Sequence, residues 1–330
     1  MIYLHQDCFK DLDDPEGLRK AVQLAVQIEL ATIPVYLYSL YSLMPGTNDP
    51  VAEILSSVVR EEMLHLALAC NLLNAIGGHP ILLRSDVTPR YPARFPQGTE
   101  LGPVLSLKPF SLEHLKLFLA IEEPENPIQD EAAVRKPTVG NYYRAIEEAI
   151  GRIGSKLFKG SDPSLQIREG FDAILPIDSV ASASEGIDLI VEQGEGTPQS
   201  RQSPTGGYAH YYRFEQIARG KALKIGGGSD AVKDCFSGAL IHFDPAEVYP
   251  IPDNPKASLY PVGTRARVGC DQFNDTYVKL LRSLERMVNG EPSKLQDAMG
   301  LMFSLKHQAK DLMSGCTTGK IPVGPSFECF

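Results

Sequence analysis

Apolar residues recur at helical spacing along most of the chain, and turn residues mark where each run stops. From Pro15 to Ser42 the stripe runs Leu18, Val22, Ala25 or Val26, Ile33, Tyr36 or Leu37, and Leu40. An Asp pair just before Pro15 supplies a start signal. Pro34 lies inside this run and predicts a kink or a local break. After the MPGTNDP turn a second helix is predicted over 50–76, with Val51, Leu55, Val58, Leu72 and Ile76 on one face and Gly77–Gly78 as its stop. Residues 79–109 carry six prolines and no sustained period, which predicts a long ordered loop, a candidate lid. Further helices are predicted over 111–123, 139–150 and 181–193, in YAHYYRFEQIARG up to Gly220, and over 271–289 and 292–314. The fold class is therefore mainly α: one domain, a helix bundle with long irregular insertions. Its expected bundle helices are 15–42, 50–76, 111–123 and 181–220, followed by a C-terminal helical pair within 271–314.

Several polar residues sit where this pattern calls for hydrophobic ones. Glu29 follows Val22 and Val26 and precedes Ile33 on the first stripe. On the second, the steps Leu55, Val58, Glu62, His65, Ala69, Leu72 put Glu62 and His65 one helical turn apart on the apolar face. Leu115, Phe118 and Glu122 share a line on the third. A bare carboxylate inside a bundle is costly, so it needs a partner, and a metal cation is one. Taken singly, a Glu on an apolar stripe, Glu122 above all, is more often a boundary residue whose head reaches water. Three helices each presenting one favours a shared cation. Glu-x-x-His on one helix and a lone Glu on two others is part of the di-metal bundle pattern.

The fourth contribution is less clear. SEGIDLIVEQGEG puts Glu185, Asp188, Glu192 and Glu195 on one face opposite Ile187, Ile190 and Val191, which reads as a solvated acidic face. His210 shares an apolar face with Phe214 and Ile217 and points inward, either as a satisfied core histidine or as a metal ligand. Arg60, Glu61 and Glu123 fall off the stripes and are expected in solvent, with Arg213 expected in a surface ion pair.

Composition narrows the function classes. Among 330 residues, 32 Lys+Arg stand against 41 Asp+Glu, a formal charge of −9. This argues against nucleic-acid or anionic-membrane partners. The longest near-apolar run, Leu64 to Leu73, is about half of the ~20 residues a membrane span needs. No basic segment followed by a long apolar one opens the chain, and the six cysteines form no CxxC pair. Reduced thiols and a cytoplasmic location are expected, with no structural zinc and Cys70 as a core filler.

The segments QIELATIPVYLYSLYS, VVREEMLHLALACNLLNAIGGHP, IEEPE, VEQGEGT and HYYRFEQI resemble the ferritin-like domain of iminophenyl-pyruvate dimer synthase type. That domain occurs in enzymes coupling oxidised tryptophan units in violacein- and rebeccamycin-type pathways, which are much longer than this chain, and in stand-alone proteins. The resemblance implies a ferritin-like bundle and a metal site with ligands Glu29, Glu62, His65, Glu122, Glu192 and His210. Because there is no second Glu-x-x-His, the role of Glu195 stays open. The implied cofactor is iron, as a dinuclear centre, with manganese the alternative. The implied function is oxidation of a small amino-acid-derived imine or aromatic metabolite by dioxygen or peroxide. Iron binding or detoxification without an organic substrate is the alternative. Tyr36, Tyr38, Tyr142, Tyr143, Tyr208, Tyr211 and Tyr212 are candidates to line an aromatic pocket. A small-molecule substrate is the expected partner, and self-association as a homo-oligomer stays open.

Overall fold

The first helix, α1 (Pro15–Ser42), starts where the Asp14 carboxylate accepts from the amides of Glu16 and Gly17, with Pro15 in the first turn. Pro34 lies inside it, and the helix runs on to Ser42. The second, α2 (Asp49–Ala75), ends at Gly77, whose φ of +77° is the left-handed conformation glycine adopts freely. The Gly77 and Gly78 amides close the helix on the Asn74 and Leu73 carbonyls. The Arg19 guanidinium reaches the Ile76 carbonyl at 2.9 Å, so the two helices lie antiparallel as a hairpin. The computed structural model describes residues 3–95, 99–101, 103–124, 137–194, 207–224, 236–315, 317–318 and 321–330.

Six more helices follow among the described residues: α3 (Leu112–Ile121), α4 (Val139–Ile153), α5 (Val180–Gly194), α6 (His210–Arg219), α7 (Arg265–Val288) and α8 (Lys294–Gly315). The helix contacts close a ring in the order α1, α2, α5, α4, and this is the bundle. Here the structure departs from the expected set. The bundle wall is α4, opened by a Thr138–Asn141 capping box, while α3 and α6 pack together beside one end of the ring. Within the expected 181–220 bundle segment the described residues form two helices, α5 and α6. On the outer side of α1 and α2 lies the α7–α8 pair.

Because α1 and α2 are covered from both sides, each is apolar around most of its circumference. By length and composition α1 would suffice to cross a membrane, yet most of it is buried inside the fold. The 79–109 segment is tied down rather than free over its described part. Gln23 bonds both the amide and the carbonyl of Ile81, Glu285 accepts from the amides of Leu82 and Leu83, and the Tyr91 hydroxyl donates to the Ala31 carbonyl. Cys70 is buried in the core as expected; Cys235 and Cys316 lie outside the described residues.

Candidate metal centre

Five of the residues singled out in the sequence meet inside the bundle. Glu29 comes from α1, Glu62 and His65 from α2, Glu122 from the C-terminal cap of α3, and His210 from the first position of α6. All five are buried: 6% exposed for Glu29, 3% for Glu62, 1% for His65, 5% for Glu122 and nil for His210. His65 Nδ1 stands 3.7 Å from Glu29 Oε2 and 3.9 Å from Glu62 Oε1. His210 Nδ1 stands 3.0 Å from Glu62 Oε1 and 3.5 Å from Glu122 Oε2. Glu62 thus lies between the two histidines, whose rings stack at 5.3 Å. Glu29, Glu62, His65 and Glu122 line a space of about 50 Å³, with Ile28, Phe95, Ile121, Val139, Ile190 and Val191 among its apolar walls.

Each carboxylate is held by a hydroxyl from a neighbouring turn or helix. Thr32 donates to Glu62, Tyr36 to Glu122 and Tyr143 to Glu29, all at 2.5 Å. Thr32 and Tyr36 follow Glu29 by three and seven positions, so α1 presents all three on one face. That periodicity was available in the sequence; the partner carboxylates were not. Tyr143 arrives from α4, whose place in the ring no local pattern reveals.

The histidines are fixed from behind. His65 Nε2 is 2.9 Å from the Gln193 amide oxygen; that oxygen only accepts, so Nε2 carries the hydrogen and Nδ1 keeps its lone pair toward Glu29 and Glu62. His210 Nε2 is 3.1 Å from Glu61, and Arg213, bonded also to Ser57 and the Tyr208 carbonyl, grips the same Glu61 oxygen. Glu61 is therefore not the solvated off-stripe residue the pattern suggests, and Arg213, 8% exposed, is not at the surface. The period of an amphipathic helix puts Glu61 outside the core, but α6 covers that side of α2 and turns an outer position into an inner one.

Glu192 is not brought to this space. It is half-buried on α5 and does not line the chamber, where its neighbours Val191, Gln193 and Gly194 touch the cluster or its walls. Glu195 lies outside the described residues. Among the seven tyrosines named as pocket candidates, Tyr36 and Tyr143 reach the carboxylates. Tyr38 and Tyr142 spend their hydroxyls on backbone carbonyls elsewhere.

Burial and the crowding of charges set the protonation of this cluster. Burial, then the Glu62 charge, pushes the Glu29 carboxyl well above its ordinary range, against the Tyr143 bond. Burial and the Glu122 charge raise Glu62 likewise. Burial and the charge of His210 drive His65 down to about 3, which keeps it neutral. For His210 burial opposes protonation, but Glu122, Glu61 and Glu62 together hold it protonated, well above the usual imidazole range. Burial works against the Glu61 charge, yet His210 and Arg213 bring its carboxyl down to about 2.

These features fit a cation. Three carboxylates share one apolar chamber. His210 Nδ1, although 3.0 Å from Glu62 Oε1, is buried and aligned for no hydrogen bond among the described residues. Ligand atoms at ~2.1 Å from a common ion stand about 3–4 Å apart, the range found here. Glu62, His65 and His210 each offer one such atom, all within 4.8 Å of one another.

Residues 22–219 match the ferritin-like family, a span that holds the whole cluster. The chain belongs to the ferritin-like family. Dichlorochromopyrrolate synthase of Lentzea aerocolonigenes is 26% identical over 380 residues, covering 94% of this chain and 36% of the relative. The ferritin-like chain thus spans about a third of that enzyme's length, and the likeness to dimer synthases expected from its motifs extends over nearly all of it. The crystal structure of a ferritin-like protein from Caulobacter vibrioides, at 1.95 Å, covers 94% of this chain and 97% of its own at a TM-score of 0.64 and 21% identity. That neighbour shares the fold.

Proposed function

We propose that this chain is an iron-dependent oxidoreductase that uses dioxygen or peroxide on a small amino-acid-derived metabolite, an imine or an aromatic compound. One observation carries the reading: three buried carboxylates and two histidines bring their ligand atoms together inside the bundle, with Glu29, Glu62, Glu122 and His65 lining one small chamber. The substrate class rests on the likeness to dichlorochromopyrrolate synthase. Glu29, Glu62, His65, Glu122 and His210 would hold the metal, as one ion or a dinuclear centre, with Glu62 lying between the two histidines. Iron held there would supply one-electron redox chemistry toward dioxygen or peroxide, and manganese uses the same donor types.

The chain's own residues do the rest. Thr32, Tyr36 and Tyr143 orient the carboxylates by donating to the oxygens turned away from the histidines. Gln193 keeps the hydrogen of His65 on Nε2, and Glu61, clamped by Arg213, does the same for His210, leaving both Nδ1 atoms for the metal. Phe95, Ile121 and Val191 keep bulk water from the chamber, so that charges inside interact strongly.

Elemental analysis and an anomalous-difference map of the full chain test the proposal, together with uptake of dioxygen or peroxide. Near-stoichiometric iron in the chamber with substrate-dependent oxidant consumption is the expected result. Absence of bound metal after anaerobic Fe(II) addition overturns it. A cage holding hundreds of irons per particle would replace it with iron storage.

A further inference from the structure

On the opposite side of α1 and α2 from the metal centre, the chain encloses a second space of about 70 Å³. Its walls include Leu30 and Pro34 of α1, Leu66 and Ala67 of α2, Leu281 of α7 and Leu305 of α8, and among the described residues no charged side chain lines it. The space exceeds the ~10–15 Å³ one water needs, but an ordered water also needs two to four polar partners. These walls offer little beyond two tyrosine hydroxyls and a thiol, so the space favours an apolar occupant over water.

One of those hydroxyls is without a partner. Tyr277 is 4% exposed, lines the space, and its hydroxyl makes no hydrogen bond among the described residues. The nearby Tyr91 hydroxyl is already committed to the Ala31 carbonyl. Pro34, in the facing wall, has no N–H, so the Leu30 carbonyl lacks its usual donor one turn on. A buried polar atom left unbonded is costly, which makes the Tyr277 hydroxyl a point where a ligand gains by bonding. A charged ligand would enter a wall with no counter-charge and is disfavoured.

We infer that this slot is a second binding site, for a neutral small molecule with an apolar body and one hydrogen-bonding group set against Tyr277. Its occupant touches Leu30, Met63 and Leu66, the next residues in the chain after Glu29, Glu62 and His65. The site stands on its own geometry and does not depend on the metal reading.

Phenol and toluene are suitable probes, because they share an aromatic body and differ in the hydroxyl. Three of the seven methionines, Met63, Met287 and Met302, line the slot. The full chain labelled with 13C at the methionine methyls therefore reports occupancy, with Met44 and Met313 as internal controls. Phenol is expected to shift the three slot signals saturably, with toluene roughly threefold weaker or more. In Tyr277→Phe, which loses a single oxygen, the preference should fall to about one while the control signals stay in place. Ala67→Phe should block both probes. Shifts confined to other methionines, no saturation, or a phenol preference retained in Tyr277→Phe would each overturn the assignment.

Discussion

The two sides of the α1–α2 hairpin are built from residues adjacent in the chain and could hardly differ more in chemistry. One side presents Glu29, Thr32, Tyr36, Glu62 and His65 to a chamber dense with ionisable groups. The other presents Leu30, Ile33, Pro34, Met63 and Leu66 to a slot with no charge at all. Both sides are buried, so burial alone does not mark a site. The difference lies in where polar atoms find partners. In the chamber nearly every polar atom is tied to another, leaving a nitrogen and several carboxylate oxygens turned inward. In the slot a lone hydroxyl is left over.

The largest expected effect sits on the charged side. His65→Ala removes a donor while leaving the buried carboxylates in place, and should weaken metal binding by more than about 100-fold. Competition titration with Fe(II) or Mn(II) measures this, and unchanged metal content would detach His65 from the centre. On the apolar side, Leu281→Ala enlarges an existing space where little can collapse into it. A loss of about 2–5 kcal/mol in unfolding stability is expected, with metal content per folded chain unchanged. If Leu281→Ala also strips the metal, the two sides are not separable in the way drawn here.

A smaller effect is expected one step behind the ligands. Glu61→Gln keeps the shape of the side chain but weakens its hold on His210 and leaves Arg213 without its counter-charge. A loss of roughly 10-fold in metal affinity is expected, with the fold retained by circular dichroism. An unaltered affinity would mean that α6 positions His210 without help from Glu61.

The charged side should also give the ion-free chain a pH dependence. Glu29, Glu62 and His210 are raised above their unfolded values, so each contributes stability when protonated and loses it as pH rises through the raised value. His65, lowered to about 3, contributes fully above the unfolded imidazole value of about 6.5 and loses that contribution as pH falls toward 3. The two trends oppose each other below about pH 6.5. Above it only the first has a slope. Metal-free protein should therefore melt lower at pH 8.5 than at pH 6.5, by ~2–4 °C for each kcal/mol lost. Metal-loaded protein should lose this slope, because the cation takes over from the protons, and a calorimetric comparison of the two forms checks it.

How much of this was legible beforehand follows from which interactions are local. The helices α1 and α2 and the inward direction of Glu29, Glu62 and His65 follow from a 3.6-residue period over long, strongly patterned segments. Glu122 and His210 were legible as members of apolar stripes, although both sit at helix ends. The role of α4 was not legible, because nothing in VGNYYRAIEEAI says which neighbours it packs against. Glu61 escapes the pattern for the same reason: a second-layer helix, α6, covers a position that the pattern of α2 alone assigns to solvent. The slot was invisible, since its walls read as ordinary core and the unpartnered Tyr277 is defined by what its neighbours fail to supply.

The smallest effect tests α5, where adjacent residues divide between the two environments. Glu192 belongs by pattern to an acidic face with Glu185 and Asp188, and the structure leaves it half-buried and away from the chamber. Gln193, one position on, is 2% exposed and reaches His65. Glu192→Ala should leave metal affinity within about twofold, as expected of a carboxylate that meets no ligand. Gln193→Leu frees the His65 ring to change tautomer or turn, and should cost a factor nearer 10. If the order is reversed, α5 is rotated in the metal-loaded protein so that its acidic face meets the bundle interior, and Glu192 joins the ligands in place of a supporting amide.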